Sequence, residues 1–139
     1  MAKDIQSAKY LYLDRIVEEN DLELRVYVDE AVADSEVTEE VEGVAGCSPI
    51  VSNESCARYE FVFENYVGYS VRNESYTSRD DEEKYTGNLY RLYSKSKFLD
   101  YIQESCVGLD LLAPNLKHYE IVCLNHIVDV ATEYEPIIT

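Results

Sequence analysis

The segment KHYEIVCLNHIVDV, residues 117–130, holds both histidines of the chain, His118 and His126, with Cys123 between them and Asp129 just beyond. Imidazole, thiolate and carboxylate bind transition metals and relay protons. Whether these groups can act together depends on the backbone that carries them. Ile121, Val122, Ile127, Val128 and Val130 are β-branched and stiff at χ1, so the segment reads as a strand. In a single strand His118, Glu120, Val122, Leu124, His126, Val128 and Val130 share one face, and Tyr119, Ile121, Cys123, Asn125, Ile127 and Asp129 share the other. Cys123 and Asp129 then point away from both histidines. The histidines share a face, but eight residues at about 3.4 Å each put them roughly 27 Å apart. One metal ion holds ligand atoms only about 4 Å from one another, and an acid–base pair needs contact within about 3 Å. A bulge at Asn125-His126 would turn Cys123 toward His126 without bringing it into range. The segment therefore predicts no metal site, no cofactor and no catalytic residue. His118 and His126 are expected as hydrogen-bonded structural residues.

Other chemistries lack their patterns. There is no GxGxxG, no GxxxxGK[ST], no GxSxG and no HExxH. The acidic run 80–83 has neither the spacing nor the glycine of an EF-hand loop. Carboxylate pairs are too plentiful for any one to stand out as a glycosidase acid and base. Cys47, Cys56, Cys106 and Cys123 form no CxxC pair, which predicts free, mostly buried thiols. NES occurs at Asn53 and Asn73; both are read as loop residues.

The elements that carry these residues are mostly strands. LELRVYVD (22–29) alternates, with Leu22, Leu24, Val26 and Val28 on one face, and pairs with KYLYLDRIV (9–17) as a hairpin through EEND (18–21). RYEFVFENYVGYSVRN (58–73) keeps Tyr59, Phe61, Phe63, Val67, Tyr69 and Val71 on one parity. It predicts one long strand bent near Gly68, where a bulge or close approach is expected. Val37, Val41 and Val44 sit at helical spacing in the long acidic loop, with Ser35 as cap and Gly43 and Gly46 as stops. LYRLY (89–93) is a short strand. Phe98, Leu99, Ile102 and Cys106 then mark a helix with Ser94 or Ser96 as N-cap and Gly108 as its end. Pro136 fits an edge position. The expected fold is α+β: one domain, 1–139, with a mainly antiparallel curved sheet of about five or six strands and one main helix packed on it.

The net charge is −16, from 28 acidic and 12 basic residues. Such a surface has no basic patch, which excludes nucleic acid as a partner. No run of apolar residues spans a membrane, and the first residues carry no apolar signal region, so a cytoplasmic protein is expected. Thirteen tyrosines stand against three phenylalanines and no tryptophan. Tyrosine supplies contact area and a hydrogen bond at low entropy cost and is enriched at interfaces. Carboxylates with tyrosines describe a surface that captures a basic protein.

In size, charge and tyrosine content the chain resembles the small acidic immunity proteins of bacterial polymorphic-toxin systems. LYRLYSKSKFLDYI (89–102) and HYEIVCLNHIVDV (118–130) resemble segments of small bacterial proteins, over the C-terminal third of the chain. The resemblance brings no functional motif, and no residue role is carried over from it. It implies a non-catalytic inhibitor of a basic, nuclease-like toxin. The alternatives are a phage-type nucleic-acid mimic that inhibits a host nuclease, a small-ligand-binding β-rich protein, and a small enzyme using His126 or His118. For the inhibitor, the expected contact residues are Glu36, Glu39, Glu40 and Glu42 in the long loop, and Tyr76, Asp80, Asp81, Glu82, Glu83 and Tyr85 around the acidic run. Periodicity says nothing about oligomeric state.

Overall fold

The computed structural model describes residues 4–33, 39–41, 44–47, 50–78 and 80–139, and the side chains of all of these but 39–41 and 44–47. In chain order the strands are β1 (Tyr10–Asn20), β2 (Glu23–Ala33), β3 (Glu39–Val41), β4 (Val44–Cys47), β5 (Ile50–Val51), β6 (Arg58–Glu64), β7 (Gly68–Asn73), β8 (Lys84–Gly87) and β9 (Tyr90–Lys95). The helices α1 (Lys97–Ser105) and α2 (Leu109–Leu112) follow, then β10 (Lys117–Val122), β11 (His126–Thr132) and β12 (Ile137–Ile138). One antiparallel sheet runs β1-β2-β6-β12, with β5 paired to the end of β2; the other runs β7-β11-β10-β9-β8. This is the expected α+β architecture with one main helix, ten of its strands divided between two five-stranded sheets and β3 and β4 paired apart from them.

Alternation explains the first sheet. Leu24, Val26 and Val28 of β2 are buried, as are Tyr59, Phe61 and Phe63 of β6. Leu22 leaves the expected face. It occupies the β1–β2 turn at φ 59 and is exposed, because a two-residue turn needs a left-handed residue and takes it out of the strand period. The inner face of the second sheet, Tyr119, Ile121, Val128 and Val130, meets these residues in a shared core. Phe61 packs edge-on against Tyr90, and Phe63 packs against Tyr119. Each large apolar side chain buried there contributes about 1.5–3 kcal/mol.

The 58–73 segment does not run as one strand. Asn65 takes φ 48, and the chain crosses from β6 in one sheet to β7 in the other. Gly68 does mark a close approach: a Cβ there would lie 2.8 Å from Cδ1 of Ile102 on α1. Helix α1 covers part of the outer face of the second sheet through Ile102, and Ser96 caps it by accepting the Leu99 N–H at 3.1 Å. The helix expected between Ser35 and Gly46 is replaced, over the described residues, by the β3–β4 pair. Valine at 41 and 44 favours extended backbone over helix; Ser35, Val37 and Gly43 lie outside the described residues.

The largest departure is residues 117–130. They form two strands, not one. Cys123, Leu124 and Asn125 make the turn, and β10 and β11 pair with Glu120 opposite Asp129 and Ile121 opposite Val128. Asn125 secures the turn to the first sheet: its Oδ1 accepts the Leu13 N–H at 3.0 Å and its Nδ2 donates to the Leu13 carbonyl at 3.2 Å. Asn53 and Asn73 cap turns, each accepting the N–H two residues on. Cys123 is buried and Cys56 and Cys106 are half-buried, all as free thiols. Among the described residues no helix is long and apolar enough to cross a membrane.

Candidate functional site

Pairing fixes which side chains share the outer face of the second sheet. Tyr93 lies opposite His118, Arg91 opposite Glu120, Glu120 opposite Asp129, and Arg72 opposite Ile127. Cross-strand partners project to the same side. Four strands therefore deliver His118, Glu120, Asp129, Tyr93, Arg91 and Arg72 to one surface. α1 closes one end of that surface. The loop from β7 to β8 also borders it and meets the start of α1 at Lys97.

Under α1 the polar groups form a closed chain. Ser96 Oγ accepts from Leu99, so its own proton goes to His118 Nδ1, 2.7 Å away. His118 Nε2–H donates to Asp129 Oδ1 at 2.7 Å. Burial pushes His118 down to about 4, so the imidazole is neutral at pH 7 and this tautomer uses both nitrogens. The rings of Tyr93 and Phe98 pack on it. Serine, histidine and aspartate in contact suggest a nucleophilic triad. The geometry opposes that use: Ser96 is only 1% exposed and its oxygen is held by the helix N-terminus. A nucleophile must reach a substrate.

The chain opens toward solvent at Glu120. Tyr93 OH donates to Glu120 Oε1 at 2.9 Å. Arg72 Nη2 reaches Asp129 Oδ2 at 3.2 Å and Glu120 Oε2 at 3.5 Å. Arg91 Nη1 lies 3.6 Å from Glu120 Oε1, and its guanidinium stacks 4.2 Å above the Tyr85 ring. Burial, and then Asp129 opposite it, pushes Glu120 up to about 7; burial also raises Asp129. The two carboxyls titrate as a pair. His118, Glu120 and Asp129 place one ligand atom each within 4.8 Å of one another. Both histidine nitrogens are engaged, however, and Arg72 supplies the positive charge that a metal ion would bring.

Above Glu120 lies a cleft of about 620 Å³. Its floor is Glu120, Val122, Ile127 and Tyr93, its walls Arg72 and Arg91, and its rim Glu74, Asp80, Asp81, Glu83 and Tyr85. Five carboxyls thus surround two guanidiniums. No family model, curated protein or solved structure matches the chain. The chemistry of the cleft is therefore read from its own residues.

Four of the contact residues expected from sequence, Asp80, Asp81, Glu83 and Tyr85, come together at this rim. Tyr76, in the turn that follows β7, is 87% exposed. Glu82 is exposed but does not line the cleft. Glu36 and Glu42 lie outside the described residues; Glu39 and Glu40 fall in β3, where side chains are not described. Asp80 and Glu83 also have structural work. The Glu82 N–H, and then Lys97 Nζ at 3.0 Å, hold the Asp80 carboxyl below the ordinary range, and Glu83 accepts the Lys97 N–H at 2.8 Å.

Sequence reasoning missed Arg72, Glu74, Arg91, Tyr93 and Glu120, and it set His118 and Asp129 apart. A signal was present. A fourteen-residue β-branched run is long for one strand, and Asn125 at its middle is a turn residue. His126, the histidine singled out as a possible base, faces the inner side of its sheet, does not line the cleft, and has a buried Nδ1 without a hydrogen-bond partner.

Proposed function

We propose that the chain is a non-catalytic binding protein whose acidic cleft receives a cationic side chain of a basic protein, as an inhibitor of the immunity type does. The observation that carries this reading is the rim of Glu74, Asp80, Asp81, Glu83 and Tyr85 around one cleft, in a chain of net charge −16. Arg72 and Arg91 lie against Glu120 and Asp129, and Lys97 pairs with Asp80, so carboxylates still outnumber cations around the cleft and favour an incoming lysine or arginine. Long-range attraction steers the encounter, and Tyr85 and Tyr76 supply exposed contact area.

The test is affinity capture from the native host at low and high salt. The expected result is a basic protein held near stoichiometry at low salt and released at high salt. Charge reversal belongs at Glu74 and Asp81, because Asp80 and Glu83 hold the start of α1. The double variant Glu74→Arg/Asp81→Arg should lose the capture. Capture of the same proteins by the variant would overturn the reading.

Glu120 favours a second reading, acid–base catalysis. A carboxyl held at about 7 on a cleft floor is suited to exchange protons at neutral pH. In that case Glu120→Gln would abolish a turnover that His126→Ala leaves intact.

A further inference from the structure

The segment that follows α1 presents the most exposed aliphatic side chains among the described residues. Val107 is 97% exposed, Leu111 88% and Leu112 79%. They fall within six residues, on and just before the single turn of α2, which starts after Gly108 at φ 79. A groove of about 330 Å³ lies beside them, lined by Leu109, Ala113, Pro114 and Leu116, with Asp110 and Gln103 at its margin. Single exposed aliphatic side chains are common, but three within six residues mark a contact surface.

Charge selects the occupant. Between Lys97 and Lys117 the chain has Asp100, Glu104 and Asp110 and no further lysine, arginine or histidine. Glu133 approaches from β11, its carboxylate accepting the Asn115 N–H. A second copy would bring another −16 against this acidic rim, and an anionic lipid surface would be repelled by it. We propose that this exposed patch docks a basic amphipathic helix of a partner protein, apolar stripe on Val107, Leu111 and Leu112, cationic flanks toward Asp100, Glu104 and Asp110. An amphipathic helix lays its own apolar stripe on such a surface. The proposal rests on the patch alone and holds whether or not the same partner enters the cleft.

The experiment uses a synthetic leucine–lysine peptide with its leucines at helical spacing, and a scrambled peptide of the same composition. Fluorescence anisotropy with the full chain should show the patterned peptide bound about tenfold tighter than the scrambled one. The triple variant Val107→Ser/Leu111→Ser/Leu112→Ser should lose that difference while keeping the salt-dependent binding of the scrambled peptide. All three side chains are exposed, so the core is left intact. The cleft variant Asp81→Arg should keep the difference, which separates this site from the cleft. Equal affinity for the two peptides would overturn the proposal. So would self-association in sedimentation that the triple variant abolishes, or flotation with anionic vesicles.

Discussion

His118 and Asp129 are eleven residues apart in the chain, and His118 Nε2 lies 2.7 Å from Asp129 Oδ1. The contact is buried at both ends and exists because β10 turns back on itself at Cys123–Asn125. Asp129 serves His118 and Arg72 together. Asp129→Ala should therefore cost about 3 kcal/mol, since it leaves a buried imidazole N–H without its acceptor and takes from Arg72 the closer of its two carboxylates. Urea denaturation checks this. A loss below about 1 kcal/mol would mean that water replaces the carboxylate.

Glu120 and His118 move stability in opposite directions with pH. Glu120 is raised in the folded chain from 4.5 to about 7, so its contribution is present below about 4.5 and lost as pH rises through about 7. His118 is lowered from 6.5 to about 4, so its contribution is present above about 6.5 and lost as pH falls through about 4. Between those limits the two nearly cancel. Glu120→Gln removes the first, so the variant should gain on the wild type by about 2 kcal/mol between pH 5 and pH 7. Denaturant midpoints across that range test it; parallel profiles would rule out a protonated Glu120.

Gly87 and Gly68 should respond differently to alanine. At Gly87 a Cβ would sit 2.2 Å from the Tyr90 carbonyl oxygen on backbone at φ 99, where an L side chain is strained. Gly87→Ala should cost more than about 2 kcal/mol and loosen the β8–β9 hairpin. At Gly68 the obstacle is the tip of Ile102, which can turn aside, so Gly68→Ala should cost only about 1 kcal/mol. Thermal and urea unfolding of the two variants gives the order directly.

Asn125 replaces backbone in bridging two sheets. Asn125→Ala leaves the Leu13 N–H and carbonyl unpaired and should cost about 2 kcal/mol. Asn125→Asp keeps the acceptor but sets a carboxylate against the Leu13 carbonyl, so it should be no better. Amide hydrogen exchange at Leu13 should quicken in both. Unchanged protection would show that the turn holds without the side chain.

Local chemistry made much of this molecule legible in its sequence. Leu24, Val26 and Val28 turned inward because a strand has period two. Ser96 capped α1, and Gly68 admitted Ile102, because a cap needs a side-chain oxygen and a close approach needs a missing Cβ. Asp80, Asp81, Glu83 and Tyr85 were found by composition, and they stand at one rim, although Glu82 of the same run does not and Tyr85 lies in β8. These are properties of a residue and its near neighbours.

The cluster beneath that rim was decided by tertiary structure. Period two states which residues share a face of a strand, but it carries no mark for where the strand ends. Moving the turn to Cys123–Asn125 changed the separation of His118 and Asp129 from opposite faces of one strand to a hydrogen bond. Arg72 and Arg91 arrived on strands far away in sequence, placed by pairing with β11 and β10. Burial then pushed the Glu120 carboxyl up and the His118 imidazole down. Register, closure and desolvation are long-range quantities, settled only when separate elements compete for the same partner and the same space.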